Sequence, residues 1–182
     1  GSSILIDGTY TDTSTGKLNG GLGTVTISDA VVSTGSISGG SGNLTFNNTV
    51  TAFGEFETST SNTTFADNVS LSGINISING RTIFAGTTNL SVPDGIEFKD
   101  VVINEGKSLA TSNNLVVSGS SWDNKGSFTA SSSSEISFTD NNVTVSGNNN
   151  KLEIKGLSIF KDFTYKYTLD NEELIYKMME DQ

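Results

Sequence analysis

Between Thr24 and Ala85 the chain falls into rows of nineteen: T-V-T-I-S-D-A-V-V from Thr24, N-L-T-F-N-N-T-V from Asn43, N-T-T-F-A-D-N-V from Asn62 and R-T-I-F-A-G-T-T from Arg81. Ile27, Phe46, Phe65 and Phe84 stand in one column. Thr26, Thr45 and Thr64 stand in the column before it, and Val31, Val50 and Val69 in the column four after it. A unit this short cannot bury its own apolar face, but stacked neighbours bury it for one another, so the period implies a stack.

Each unit is β-like. Val25-Thr26-Ile27 and Leu44-Thr45-Phe46 alternate apolar and hydroxyl side chains with the period of two that marks a half-buried strand. Clusters such as Gly39-Gly40-Ser41-Gly42 and Ser59-Thr60-Ser61 turn the chain between them. The expected fold is all-β, a parallel β-helix or β-solenoid. Each coil holds two or three short strands, and successive coils pair in parallel about 4.8 Å apart. The competing fold is a Ser/Thr/Asn-rich β-sandwich with chance periodicity. In the solenoid, the inward column is an aliphatic and aromatic pile, the outward column is threonine, and Asn43 lies under Asn62 in position for an amide ladder.

Extended along the chain, the inward column takes in Ile27, Phe46, Phe65, Phe84, Phe98, Val117, Phe138 and Ile154. Phe98 comes only fourteen residues after Phe84, past the turn Ser91-Val92-Pro93-Asp94-Gly95, so one coil is expected to be trimmed at a corner. Residues 24–154 then form about seven coils, a rod of roughly 33 Å. Residues 1–23 are a first coil, an end cover or an arm for a neighbouring subunit, with Ile4-Leu5-Ile6 as its apolar strand.

Residues 155–182 differ in composition. Phe163, Tyr165, Tyr167 and Leu169 alternate with polar residues, and Asp170 to Glu173 has the form of a helix start. Leu174, Ile175, Met178 and Met179 follow at helical spacing. The segment is expected to cap the final coil, whose unpaired edge otherwise templates aggregation, or to dock another subunit. Ile4, Leu5, Ile6, Phe163, Tyr165, Tyr167, Leu174, Ile175 and Met178 are the residues available for self-association.

The chain has 182 residues, 34% of them apolar and 16% charged, with 50 Ser and Thr, 19 Asn, 20 Gly and one Pro. Disordered chains are rich in charge and proline, and this one is poor in both. A net charge of −10 opposes nucleic acid and anionic membrane as partners, and no run is long enough to span a bilayer. The opening Gly1-Ser2-Ser3 is not a signal peptide, and the expectation is a processed or recombinant form of a secreted protein.

With no His and no Cys, His-based nucleophilic triads and His/Cys zinc sites have no ligands or bases to use. No column stacks carboxylates in adjacent coils, as glycoside chemistry on such a scaffold needs, and the expectation is a protein that is not an enzyme. No cofactor is expected. Calcium is the one open alternative, since Gly39 to Asn47 partly follows a calcium-binding nonapeptide, with Leu44 where its Asp belongs. Asp67-Asn68, Asp123-Asn124 and Asp140-Asn141-Asn142 mark turns where carboxylates also serve the backbone. Seven Asn-x-Ser/Thr sites are near the number chance gives in so Ser/Thr-rich a chain. A threonine array that orders ice is another reading of the outward column, but only Thr24-x-Thr26 carries Thr at both positions.

The rows L-T-F-N-N-T-V and T-T-F-A-D-N-V, with S-F-T-D-N-N-V from Ser137, resemble coils of bacterial β-helical surface proteins. Those are the passengers of autotransporters and the filamentous-haemagglutinin-like adhesins. F-x-x-N at Phe65–Asn68 and Phe138–Asn141 is similar to a motif of chlamydial polymorphic membrane proteins, whose G-G-A-[ILV] partner motif is missing here. The resemblance implies an extracellular, cell-surface protein that is an adhesin or fibre module. Its partners would be host or cell-surface glycans and proteins, or copies of itself. A subunit of a filament joined by strand exchange is the alternative, followed by a polysaccharide-active enzyme, a phage-type receptor-binding fibre and an ice-binding protein.

Overall fold

Three short strands and three corners make each coil, and about seven coils stack in parallel. The computed structural model describes residues 2–131, 133–140 and 143–147, and the backbone alone at 157–158. Among them there is no helix.

The first face is a continuous eight-stranded parallel sheet: Ile4–Ile6, Val25–Ile27, Leu44–Phe46, Asn62–Phe65, Arg81–Phe84, Val101–Ile103, Ser121–Asn124 and Thr144–Gly147. The second has seven strands: Tyr10–Thr11, Val31–Ser33, Val50–Ala52, Val69–Leu71, Thr87–Ser91, Ser108–Thr111 and Ser127–Ala130. The third is split into two sheets of four. Lys17–Asn19, Ser36–Ser38, Glu55–Glu57 and Ile76–Ser77 form one; Ile96–Phe98, Leu115–Val117, Ile136–Phe138 and Leu157–Ser158 form the other.

Alternation places one set of side chains inside on every face. Phe46 stacks on Phe65 with ring centroids 5.3 Å apart and planes 4° from parallel, and Phe65 stacks on Phe84 at 6.1 Å. All three rings are buried. Rings piled in one layer along consecutive coils rule out the sandwich, which puts facing residues in separate sheets. Val31, Val50 and Val69 line up on the second face, as their spacing predicts.

The inward column differs from its predicted course after Phe84. Phe84 pairs with Ile103, nineteen residues on, and Ile103 with Asn124, so no coil is trimmed there. Phe98, Val117 and Phe138 are paired with one another on the third face and form a second inward column. All three are buried, as are Ile27 and Ile103. The reason is that every face buries the same residue types, so a phenylalanine does not declare which face it occupies. Coils do vary, but by lengthening: Val101 pairs with Trp122 and Trp122 with Val145, intervals of 21 and 23 residues.

Residues 4–19 are the stack's first coil, with Ile4, Leu5 and Ile6 paired to Val25, Thr26 and Ile27. At the other end the ladder continues past residue 154, since Leu157–Ser158 pairs with Ile136–Ser137. Ile154, Phe163, Tyr165, Tyr167, Leu174, Ile175 and Met178 lie outside the described residues.

One corner column explains how such a thin ladder closes. Gly16, Gly35, Gly54 and Gly73 stand nineteen apart, and each packs on the backbone of the one before. A Cβ on Gly35, Gly54 or Gly73 would lie 2.2, 1.9 or 1.7 Å from the carbonyl oxygen beneath. Only glycine allows coils this close where the chain turns from the second face to the third.

Candidate functional site

The outward column of the first face runs Leu5, Thr26, Thr45, Thr64, Ile83, Val102, Asp123 and Ser146. The threonine row is thus three coils long and one residue wide, and gives way to aliphatic side chains. Beside it the amide of Asn62 donates to Asn43 Oδ1 at 3.1 Å, the rung expected from their register.

Several corner carboxylates and amides are engaged by the neighbouring coil. Asp12 Oδ1 accepts from the amides of Thr34 (2.8 Å) and Gly35 (3.0 Å), and its Oδ2 from Ser33 Oγ and the Tyr10 hydroxyl, both at 3.0 Å. Burial works against this charge, but the donors led by Gly35 outweigh it, and the carboxyl lies below its ordinary range. Burial and the Asp12 charge push the Tyr10 phenol up to about 12. Hydrogen bonding from Lys99, then Ser118, lowers Glu97, with Lys99 Nζ 2.7 Å from its carboxylate. A second ladder climbs three coils: Asp94 Oδ1 accepts from Asn114 N and Asn114 Oδ1 from Glu135 N, both at 2.8 Å.

The calcium candidates are also engaged, some within their own turns and some by the neighbouring coil. Asp67 Oδ1 accepts from Asn68 N, and Asn68 Oδ1 from Asn89. Asp123 accepts from Ser146 and pairs with Lys125, while Asn124 turns inward to accept from Gly126 N. Asn141 and Asn142 fall outside the described residues. No three acidic side chains converge on a metal-sized space among the described residues.

The third face is where the molecule offers a recess. The coil that ends in Ile76–Ser77 carries one extra residue: Phe56 pairs with Ile76, an interval of twenty, where Ile37 to Phe56 is nineteen. The extra residue leaves Ile74 95% exposed, as a bulge re-aims a side chain. No ladder joins Ile76–Ser77 to Ile96–Phe98, so the sheet stops there, although the other two faces run on. Below the break lies an open groove of about 430 Å³.

Glu55 and Glu57 project outward from one strand into this groove. Glu57 accepts from Ser38 Oγ (2.7 Å) and Asn79 Nδ2 (2.9 Å), and Glu55 from Asn75 Nδ2 (3.2 Å). Phe53, 56% exposed, stands on the glycine corner two residues before Glu55. Of these residues only Asn75 was singled out from sequence, as one of the seven Asn-x-Ser/Thr sites. A signal was present: rows of nineteen set Asn75 over Phe56, an impossible inward partner, and the apolar residue returns one place later at Ile76.

Of the residues expected to self-associate, only Ile4, Leu5 and Ile6 fall among the described residues. Ile4 and Leu5 are 38% and 67% exposed on the first coil, while Ile6 is partly buried against the core. No family model, no curated protein and no solved structure matches this chain.

Proposed function

We propose that the chain is a non-enzymatic, extracellular β-solenoid that acts as a cell-surface adhesin or fibre module. The observation that carries this reading is a rod with two unbroken ladders whose third face opens into a groove lined by Glu55, Glu57 and the exposed Ile74. Rigid ladders hold surface side chains at fixed spacings, which lowers the entropy lost when many weak contacts form together. The corner carboxylates support the reading from the other side, because their acceptors are taken up by backbone amides. Beads coated with the purified chain should adhere to host cells above the level of uncoated beads. Adhesion no greater than that of the bare beads sinks the proposal.

A second reading is favoured by Leu5 and Ile4, which lie exposed on a first coil whose outer strand edge has no ladder partner among the described residues. Such an edge accepts a strand from a neighbour, and the chain is then a filament subunit. Sedimentation across a wide concentration range separates the two. Growth that Leu5→Asp abolishes supports the filament, and a monomer throughout removes it.

A further inference from the structure

The groove at the break in the third face has a chemistry of its own. Its volume, about 430 Å³, falls within the roughly 300–1,000 Å³ of ligand clefts. Along one wall Glu55 and Glu57 lie about 6.6 Å apart at the strand rise. Ser38, Asn75 and Asn79 hold the two carboxylates in place. Each carboxylate keeps lone pairs beyond those in use, and each amide keeps a second N–H. The wall is therefore a fixed row of planar acceptors interleaved with donors. In the groove's lining stands a bulged, exposed isoleucine, Ile74.

We propose that this groove binds an uncharged oligosaccharide, a proposal that rests on the adhesin reading above. Adjacent sugar hydroxyls offer paired donors and acceptors to a carboxylate–amide row. The C–H face of a sugar ring matches the aliphatic surface of Ile74. A divalent cation suits the site less well, since both carboxylates already accept from neighbouring side chains. Acidic glycans and nucleic acids meet two carboxylates in the groove and ten excess negative charges on the chain. The acceptors are held before any ligand arrives, which reduces the ordering cost of binding.

The test is a printed array of neutral, amino and acidic glycans probed with the full chain, followed by calorimetric titration of the best neutral glycan. The expected result is binding to neutral glycans that weakens about tenfold in Ile74→Ala and in Glu57→Gln, as for a central contact. Thr45→Ala, on the first face, should leave it unchanged. Far-UV circular dichroism of each variant verifies the fold. A blank array, a preference for acidic glycans, or binding indifferent to both groove substitutions overturns the proposal. Cell adhesion measured in parallel keeps the two readings apart. Adhesion with a blank array removes the groove's ligand and leaves the adhesin; a positive array without adhesion does the reverse.

Discussion

Truncating Phe65 should cost more than truncating Phe98, although both rings are 2% exposed. Removing a buried phenylalanine side chain costs about 3–5 kcal/mol through lost transfer energy and the cavity left behind, and that part is common to both sites. Their ring contacts differ. Phe65 has three aromatic neighbours: Phe46 at 5.3 Å, Phe84 at 6.1 Å and Phe56 at 6.4 Å. Phe98 has one, Phe84 at 6.5 Å and tilted 49°. Each ring pair adds about 0.5–1.5 kcal/mol beyond area burial, so two extra pairs make Phe65→Ala costlier by about 1–3 kcal/mol. The residues sit in adjacent central coils, which removes the difference between middle and end that a one-dimensional stack otherwise imposes. Urea melts followed by far-UV circular dichroism read the loss, with the single tryptophan as a second probe. Trp122 lies three coils beyond Phe65, so coincident midpoints show the stack melting as one unit. Equal losses at the two sites, or a loss below about 1 kcal/mol at Phe65, refute the claim that the ring pile holds the central coils.

Gly54→Ala should destabilise by about 1–3 kcal/mol, since its Cβ meets the Gly35 carbonyl oxygen at 1.9 Å and backbone is slow to give way. A urea midpoint indistinguishable from the parent's removes the close-corner account. Asp12→Ala should loosen the first corner by about 1 kcal/mol, a modest figure because the group is only part-buried. The folded Asp12 carboxyl is depressed, so this stabilisation is complete above the unfolded value near 3.9 and disappears as pH falls through the folded value. Hydrogen exchange at the Thr34 and Gly35 amides should therefore separate parent from variant at neutral pH and converge in acid. Tyr10 gives the opposite sign. Its raised phenol favours the folded state up to about pH 10, and the benefit fades as pH climbs to about 12. Ultraviolet titration should show one late tyrosine, moved earlier in Asp12→Asn.

The period was open to view because like residues recur in register: Phe over Phe, Thr over Thr and Val over Val across consecutive rows. The split of the apolar positions between faces was not. Ile103 follows Phe84 by nineteen and Val117 follows Phe98 by nineteen, so both intervals satisfy the period and residue type cannot say which face is meant. Gly35 was legible as a turn but not as a backbone contact, although Gly16, Gly35, Gly54 and Gly73 keep the same interval as the rings. These glycines mark where coils touch backbone to backbone. The corner clamps were hidden for another reason. Asp12 bonds to Thr34 and Gly35, 22 and 23 residues away, across a corner whose geometry no spacing rule supplies.

The groove sits where the period fails, and that coincidence has a physical basis. A strict nineteen-residue ladder pairs every strand on each face and leaves a smooth side with no recess. One inserted residue before Ile76 forces a choice: keep the inward register and push a side chain out, or keep the outer row and put Asn75 in the core. Burying an unpaired amide costs roughly 1–3 kcal/mol, and leaving an isoleucine in water forgoes roughly 1.5–3 kcal/mol of burial. The two costs are comparable, so Ile74's exposure does not follow from side-chain burial alone. The core supplies the deciding term, since Ile76 in register with Phe56 keeps the interior column apolar through the coil. The inserted residue thus spends its strain on the surface, where it ends one sheet and opens the wall that Glu55 and Glu57 line. Deleting Ile74 restores the nineteen-residue interval and leaves Asn75 beside Glu55, to which it already donates. If the bulge makes the recess, that deletion should keep the fold and abolish the neutral-glycan binding proposed for the groove. Binding that survives it places the ligand elsewhere.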